Sequence, residues 1–198
     1  MTEDGPRFPT RFTLGGHQVS LRYMRVSDRN GMLTFARALP DEDLLFLRRD
    51  ITEESQVDAW LRDVADGEAT TILAECDGQL IGYGALHRNT LRWSDHVAEM
   101  RLLVAPTWRG MGLGGLLARE VFHVAVVEGV LKVIGQLTAS QKSAIATMES
   151  LGFRPDAILR GHVRDRLGNS HDLLLFSRDM RHYAAQQRLM GTAEVFGA

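Results

Sequence analysis

Glu99-Met100-Arg101-Leu102-Leu103-Val104-Ala105-Pro106-Thr107-Trp108-Arg109-Gly110-Met111-Gly112-Leu113-Gly114-Gly115 decides how the rest of the chain is read. The apolar run from Val97 to Val104, stopped by Pro106, predicts a strand. A helix follows at once. Leu113, Leu116, Leu117, Val121, Val124 and Ala125 recur at helical spacing, and Gly129 stands where a C-terminal cap is expected. A glycine turn feeding a helix N-terminus points several N–H groups outward, and the helix adds about half a positive charge there. Such a turn suits a phosphate or pyrophosphate. The same glycines would also serve chain geometry alone.

The chain around it is ordinary for one globular domain. It has 198 residues, 44% hydrophobic and 24% charged, with a net charge of −2. That balance gives no electrostatic reason to expect nucleic acid as a partner. The lone cysteine, Cys76, lies in an apolar strand and reads as a buried small residue suited to a reducing cytoplasm. No apolar run reaches the ~20 residues of a membrane span, and Met1-Thr2-Glu3-Asp4-Gly5-Pro6 lacks the regions of a signal peptide. The expected location is cytoplasmic, without a membrane partner. Seven histidines are scattered without metal-ligand spacing, so no metal site is expected.

In chain order, residues 1–11 read as a flexible N-terminus. Phe12 to Met24 read as a hairpin turning at Gly15-Gly16. Ser27 or Asp28 can cap a helix carrying Met32, Phe35, Ala36 and Leu39, ended by Pro40. Leu44 to Leu47 are apolar but of open structure. A second helix opens at Thr52, with Val57, Trp60, Leu61 and Val64 on one face and Gly67 after its end. Trp60 on that face reads as core. Ala69–Cys76 and Gln79–Leu86 are strands joined by Asp77-Gly78, a strong hairpin signal. After the central strand, turn and helix come a strand at 132–137, a helix at 143–150 and a hairpin of 157–165 with 171–177. The order is β-α-α-β-β-β-α-β-α-β-β, with one parallel crossover between 97–104 and 132–137. It predicts an α/β domain with a mixed, mostly antiparallel central sheet and helices on both faces. The tail, 179–198, has a weak helical pattern at Tyr183, Ala184 and Gln187, for a homodimer contact or a mobile end.

Three phosphate-binding patterns compete for the glycine turn. Gly110, Gly112 and Gly115 formally match Gly-x-Gly-x-x-Gly, but five residues separate Val104 from Gly110 and no acid ends the next strand. The Gly-Lys-Ser/Thr of a nucleoside-triphosphate loop is absent. Arg109, Gly112 and Gly114 meet a third pattern, Arg/Gln-x-x-Gly-x-Gly/Ala. This resembles the acetyl-CoA pyrophosphate loop of the GNAT N-acetyltransferase superfamily. The order of elements over residues 12–178 is similar to the whole fold of that family, as are Arg22 to Asp28 and Leu151-Gly152-Phe153. The hairpin at 12–24, Ala98-Glu99 and the segment from Leu39 to Arg48 look like bacterial protein-lysine acetyltransferases.

The resemblance implies an enzyme that moves an acetyl group from acetyl-CoA to a primary amine, on a protein lysine or a small molecule, by direct attack in a ternary complex. In it Arg109, Gly110, Met111, Gly112, Leu113 and Gly114 hold the pyrophosphate, mainly by main-chain N–H groups. Leu102, Leu103 and Val104 offer main-chain groups to the pantetheine arm. By the same resemblance Gln141 is expected at the cofactor, where many members carry Asn, and Met148 stands where many carry the Tyr assigned as general acid. Met148 reads as core packing. A thiol of pKa ~8.5 is a fair leaving group without that acid. A CoA-binding module without chemistry is the alternative.

Glu99 is the candidate general base. An alkyl ammonium of pKa ~10.4 must lose a proton before it can attack. Alternation puts Glu99 with Val97, Arg101 and Leu103 on one strand face, away from Ala98, Met100, Leu102 and Val104. An ion pair with Arg101 is the plain structural alternative. His96 should face away from Glu99. Trp93 and Trp108 fall in expected loops, available to line a substrate groove.

Overall fold

Strand Ala69–Cys76 shows why two helical layers are needed. Ile72 and Ala74 turn to one side and Leu73 to the other, and none is more than 1% exposed. A strand buried on both faces requires cover on both. The structure, a computed structural model, describes residues 8–45, 47–88, 91–165 and 167–185. Its strands are β1 (Thr10–Leu14), β2 (His17–Tyr23), β3 (Ala69–Cys76), β4 (Gln79–Arg88), β5 (Val97–Val104), β6 (Lys132–Thr138), β7 (Arg154–Arg164) and β8 (Ser170–Asp179). The helices are α1 (Arg29–Arg37), α2 (Asp41–Leu44), α3 (Glu54–Ala65), α4 (Leu113–Val127) and α5 (Lys142–Ser150).

The strands form one eight-stranded sheet in the order β1-β2-β3-β4-β5-β6-β8-β7. Every neighbouring pair is antiparallel except β5 with β6. The expected mixed, mostly antiparallel sheet is therefore present. α4 covers one face, its Leu113, Leu117, Val121 and Phe122 packed with Leu21, Ile72, Leu86 and Met100. α1 and α3 cover the other, where Met32, Phe35, Val57 and Trp60 meet Leu73, Tyr83 and Leu103. Trp60 is core as expected, its indole N–H donating to the Thr71 hydroxyl at 3.1 Å. Cys76 is also buried. Glycine seats α4 on the sheet: a Cβ at Gly84 would lie 2.8 Å from Val121 Cγ2 and 3.1 Å from Leu102 Cδ2. Among the described residues no helix is long and apolar enough to cross a membrane.

Four sequence expectations change. The sheet begins at Thr10 rather than Phe12, and the Phe8 ring packs edge-on to Tyr23 with centroids 4.8 Å apart. Residues 8–11 thus belong to the domain and not to a loose end. Asp28 closes a short 3-10 turn and does not cap α1 with its side chain. Its carboxylate instead accepts two bonds of 2.7 Å from the Arg22 fork and one of 2.6 Å from the Arg25 N–H. Arg22 Nε also donates to Glu75 at 2.9 Å, so one guanidinium ties β2, β3 and the entry to α1 together. The open segment at Leu44 contains the end of α2. The start of the tail is docked: residues 180–185 are helical, Met180 is 1% exposed, and Tyr183 meets Phe122 edge-on at 5.3 Å. Gln187 and the rest of the tail lie outside the described residues.

Candidate functional site

β5 and β6 are in register only at Val97/Lys132, Ala98/Val133 and Glu99/Ile134. β5 continues along β4 to Val104, and β6 continues along β8 to Thr138. The two strands therefore part just after Glu99 and leave a wedge in the middle of the sheet. Backbone alternation decides which groups face it. Ala105 N–H donates to the Ile81 carbonyl at 2.9 Å, which makes Tyr83 and Leu103 a hydrogen-bonded pair of the β4–β5 ladder. Leu102 and Val104 then turn their main-chain groups toward the wedge. The expectation for Leu103 is corrected on this point: its main chain is used by Tyr83 and its side chain is in the core under α1 and α3.

At the wide end of the wedge sits the glycine turn. Gly110 and Gly112 have φ of 74° and 91°, values that favour glycine, and Gly112 is the residue that caps α4. No side chain caps α4, and its first turn holds no acid. Its opening N–H groups and positive dipole end suit an anion. Leu113 is fully buried, so only its main chain could serve a ligand, while Met111 is 43% exposed. At Gly114 a Cβ would find Val104 Cγ2 at 3.9 Å and nothing nearer, so protein packing alone does not demand glycine there.

Two residues expected at the cofactor are bound to the protein. Arg109 donates through Nε to the Val104 carbonyl at 3.2 Å and through Nη2 to Asp43 at 2.5 Å. It clamps α2 to the end of β5, and its positive charge beside the turn is partly offset by Asp43. Gln141, at the start of α5, accepts from the Thr138 N–H at 2.9 Å and so holds the turn after β6. Met148 is core as expected: a Cβ at Gly135 would collide with its Cε, so β6 has glycine where the methionine lies across it.

Glu99 has the facing that alternation predicts, with Ala98 and Met100 in the core on the α4 side and Leu103 on the other. The ion pair with Arg101 forms, at 2.5 Å, and Arg48 approaches the second carboxylate oxygen at 4.0 Å. The carboxylate side chain is 13% exposed and opens into a groove of about 390 Å³ that also takes in Arg48, Arg101, Gln136, Arg164 and Leu173. Trp93 and Trp108 do not line this groove. Trp93 is 79% exposed, and Trp108 packs edge-on to His17 at 5.3 Å, so the groove-lining option open to them in the sequence is not taken up here. His96 lies 3.9 Å from Asp95, not against Glu99.

His87, Arg48 and Arg164 were not singled out in the sequence. His87 stands directly opposite Glu99 in the β4–β5 ladder, 8% exposed. Burial first, then the charges of Arg48, Arg49 and Arg101, hold its imidazole at about 4. It is neutral at pH 7 and too weak a base to take a proton from an ammonium. The alternation of β4 was the signal that could have found it. Arg48 follows α2 and Arg164 ends β7, and no local pattern links either to Glu99.

Comparison with known proteins adds the following. The model of the acetyltransferase (GNAT) family matches residues 36–153. A curated relative, N-acetylaspartate synthetase of Xenopus tropicalis, is 28% identical over 120 residues, which cover 59% of this chain and 42% of the relative. The chain thus matches less than half the length of that protein. Among solved structures, a ribosomal-protein-alanine N-acetyltransferase from Brucella melitensis superposes with a TM-score of 0.71 at 23% identity, over 80% of this chain and 98% of its own. A Salmonella typhimurium structure assigned as an acetyltransferase, with its cofactor acetyl-CoA, gives 0.71 at 17%, over 82% and 94%. At these identities the structures speak for the fold.

Proposed function

The chain belongs to the acetyltransferase (GNAT) family, and from that premise we propose that it is an N-acetyltransferase using acetyl-CoA as donor and a primary amine as acceptor. One observation carries the reading. The strand that parts from its neighbour at Glu99 leads directly into an uncapped helix with a glycine entry, so main-chain N–H groups suited to an anion and a carboxylate lie at the two ends of one wedge.

In this reading the N–H groups of residues 110–114 hold the pyrophosphate. Leu102 and Val104 offer main-chain partners to the pantetheine arm lying in the wedge. Bound acetyl-CoA supplies a thioester carbon open to attack. Glu99, through a water, accepts the proton that the amine sheds as its nitrogen bonds to that carbon. The C–S bond breaks and the thiolate takes up a proton from water. Met148, packed on Gly135, has none to give. A thiol of pKa ~8.5 leaves without such help.

The acceptor is the finer question. The sequence resemblance favoured a protein lysine. A small amine is favoured by the relative named N-acetylaspartate synthetase, whose name gives a small amino acid as the acetylated product. The lone buried cysteine suits work in the cytoplasm. Calorimetry with CoA, followed by release of free thiol across a panel of amines, tests the reading. Micromolar CoA binding and amine-dependent thiol release are expected. Binding without release from any amine would leave a CoA-binding module, and no binding would end both readings.

A further inference from the structure

Three guanidiniums and one carboxylate define the charge of the groove at Glu99. Arg48, Arg101 and Arg164 line it with Glu99, which leaves an excess of two positive charges. Among the described residues, two neighbouring carboxylates are engaged elsewhere. Asp63 pairs with Arg49 at 2.6 Å, and Asp165 accepts from its own turn and pairs with His171 at 2.9 Å. A polyamine or a lysine ammonium would enter against this excess, whereas an anion would complete it.

We propose that the acceptor is a small primary amine that itself carries carboxylates, an amino dicarboxylate, with its acid groups held by Arg48 and Arg164 and its amine at Glu99. The proposal rests on the acetyl-transfer reading and names the substrate class of that same site. With its amine neutral, the form that attacks, an amino dicarboxylate carries two negative charges, equal to the groove's excess. Guanidiniums match carboxylates in geometry as well as charge. Arg101, close against Glu99, holds the base in place, while Arg48 is 54% exposed at the rim and reaches Glu99 only at 4.0 Å, so it can turn to a ligand. A groove of about 390 Å³ is the size of a small-molecule site rather than of an extended peptide track. His87 faces the same charges: burial first, then Arg48, Arg49 and Arg101, lower its proton affinity.

The test uses CoA-loaded full-length protein, titrated calorimetrically with L-glutamate, L-aspartate and the neutral diamide of each. Saturable binding of a dicarboxylate is expected, at least tenfold weaker in Arg48→Glu and in Arg164→Glu, less weakened in Arg48→Lys, and falling as salt rises. The diamides should bind at least tenfold more weakly than their acids. In turnover, the charge reversals should raise KM for the dicarboxylate with little change in kcat. Unchanged affinity in both reversals, with melting temperatures intact, would overturn the assignment. So would faster acetylation of spermidine, of a lysine peptide or of an acidic peptide than of either dicarboxylate, and that result would leave acetyl transfer standing. Failure to load CoA would instead remove the acetyl-transfer reading and the proposal with it.

Discussion

Glycine at 114 and glycine at 112 answer to different demands, and that difference makes one of them the cleaner probe. Gly112 has φ of 91°, so alanine there strains the backbone whatever the ligand does. Gly114 lies in the first turn of α4, where a Cβ would make only an ordinary contact with Val104 Cγ2 at 3.9 Å. Gly114→Ala should therefore keep or slightly raise the melting temperature while weakening CoA at least tenfold by calorimetry. Unchanged affinity would take Gly114 out of the site. Arg109 should behave oppositely. Its bonds to Val104 and Asp43 are internal, so Arg109→Ala should lower the melting temperature by a few degrees and CoA affinity less than Gly114→Ala does. For Glu99, the glutamine variant keeps the shape and removes the basicity. We expect kcat roughly 10²–10⁴-fold lower with CoA affinity nearly intact. Near wild-type turnover from pH 6 to 9 would place the base elsewhere. The ion pair with Arg101 does not decide the matter, because the same carboxylate also opens into the groove.

The ends of the elements were the most legible feature of the sequence, because their chemistry is local. Gly67, Gly129 and Gly152 each follow a helix with positive φ. Each helix closes with the same pair of bonds, as in Gly129 N–H to Val126 and Val130 N–H to Ala125. Leu151-Gly152-Phe153 gains a further reason: a Cβ at Gly152 would lie 3.2 Å from the Arg178 guanidinium, which rests 4.7 Å from the centre of the Phe122 ring. Asp77-Gly78, with φ of 49° and 76°, makes the tight turn that its sequence announces. What failed locally was decided by distant partners. Asp28 gave up the helix cap because Arg22, six residues back, offers two charged donors. Gly84 was unremarked because only the approach of α4 explains it. Gly84→Ala should cost about 1–3 kcal/mol in urea unfolding, since Val121 and Leu102 must both move. Gly16→Ala, at a hairpin turn with no atom near its Cβ, should cost only its backbone strain. Equal losses would mean that α4 is not seated by that glycine.

Across the whole molecule, the order of elements could be read in advance and the charge of the groove could not. Alternation and helical spacing run along the chain, but Arg48, Glu99 and Arg164 come from three separate parts of it and meet only through the sheet order. Arg48, together with Arg49 and Arg101, also has a consequence for stability that can be measured apart from any ligand. His87 is held at about 4 in the folded protein, by burial first and by the arginines next, against 6.5 for an exposed histidine. Between these values the unfolded chain binds a proton that the folded chain refuses. Stability is then fully present above pH 6.5 and falls as the pH drops, by up to about 1.4 kcal/mol per pH unit, levelling near pH 4. Asp28 adds a second loss at lower pH. Its burial favours the neutral acid, but the bonds from Arg22 and Arg25 outweigh that and hold its carboxyl below 3.8, so its contribution disappears as it protonates. The two windows can be separated. In urea unfolding from pH 7.5 to 3, His87→Gln should flatten the curve between pH 6.5 and 4 while keeping the drop below 3.8, and Asp28→Asn should leave that slope and lessen the drop below 3.8, to which Asp58, Asp156, Asp165 and Asp179 also contribute. A wild-type slope between pH 6.5 and 4 that persists in His87→Gln would show that the cationic pocket does not disfavour charge at this histidine.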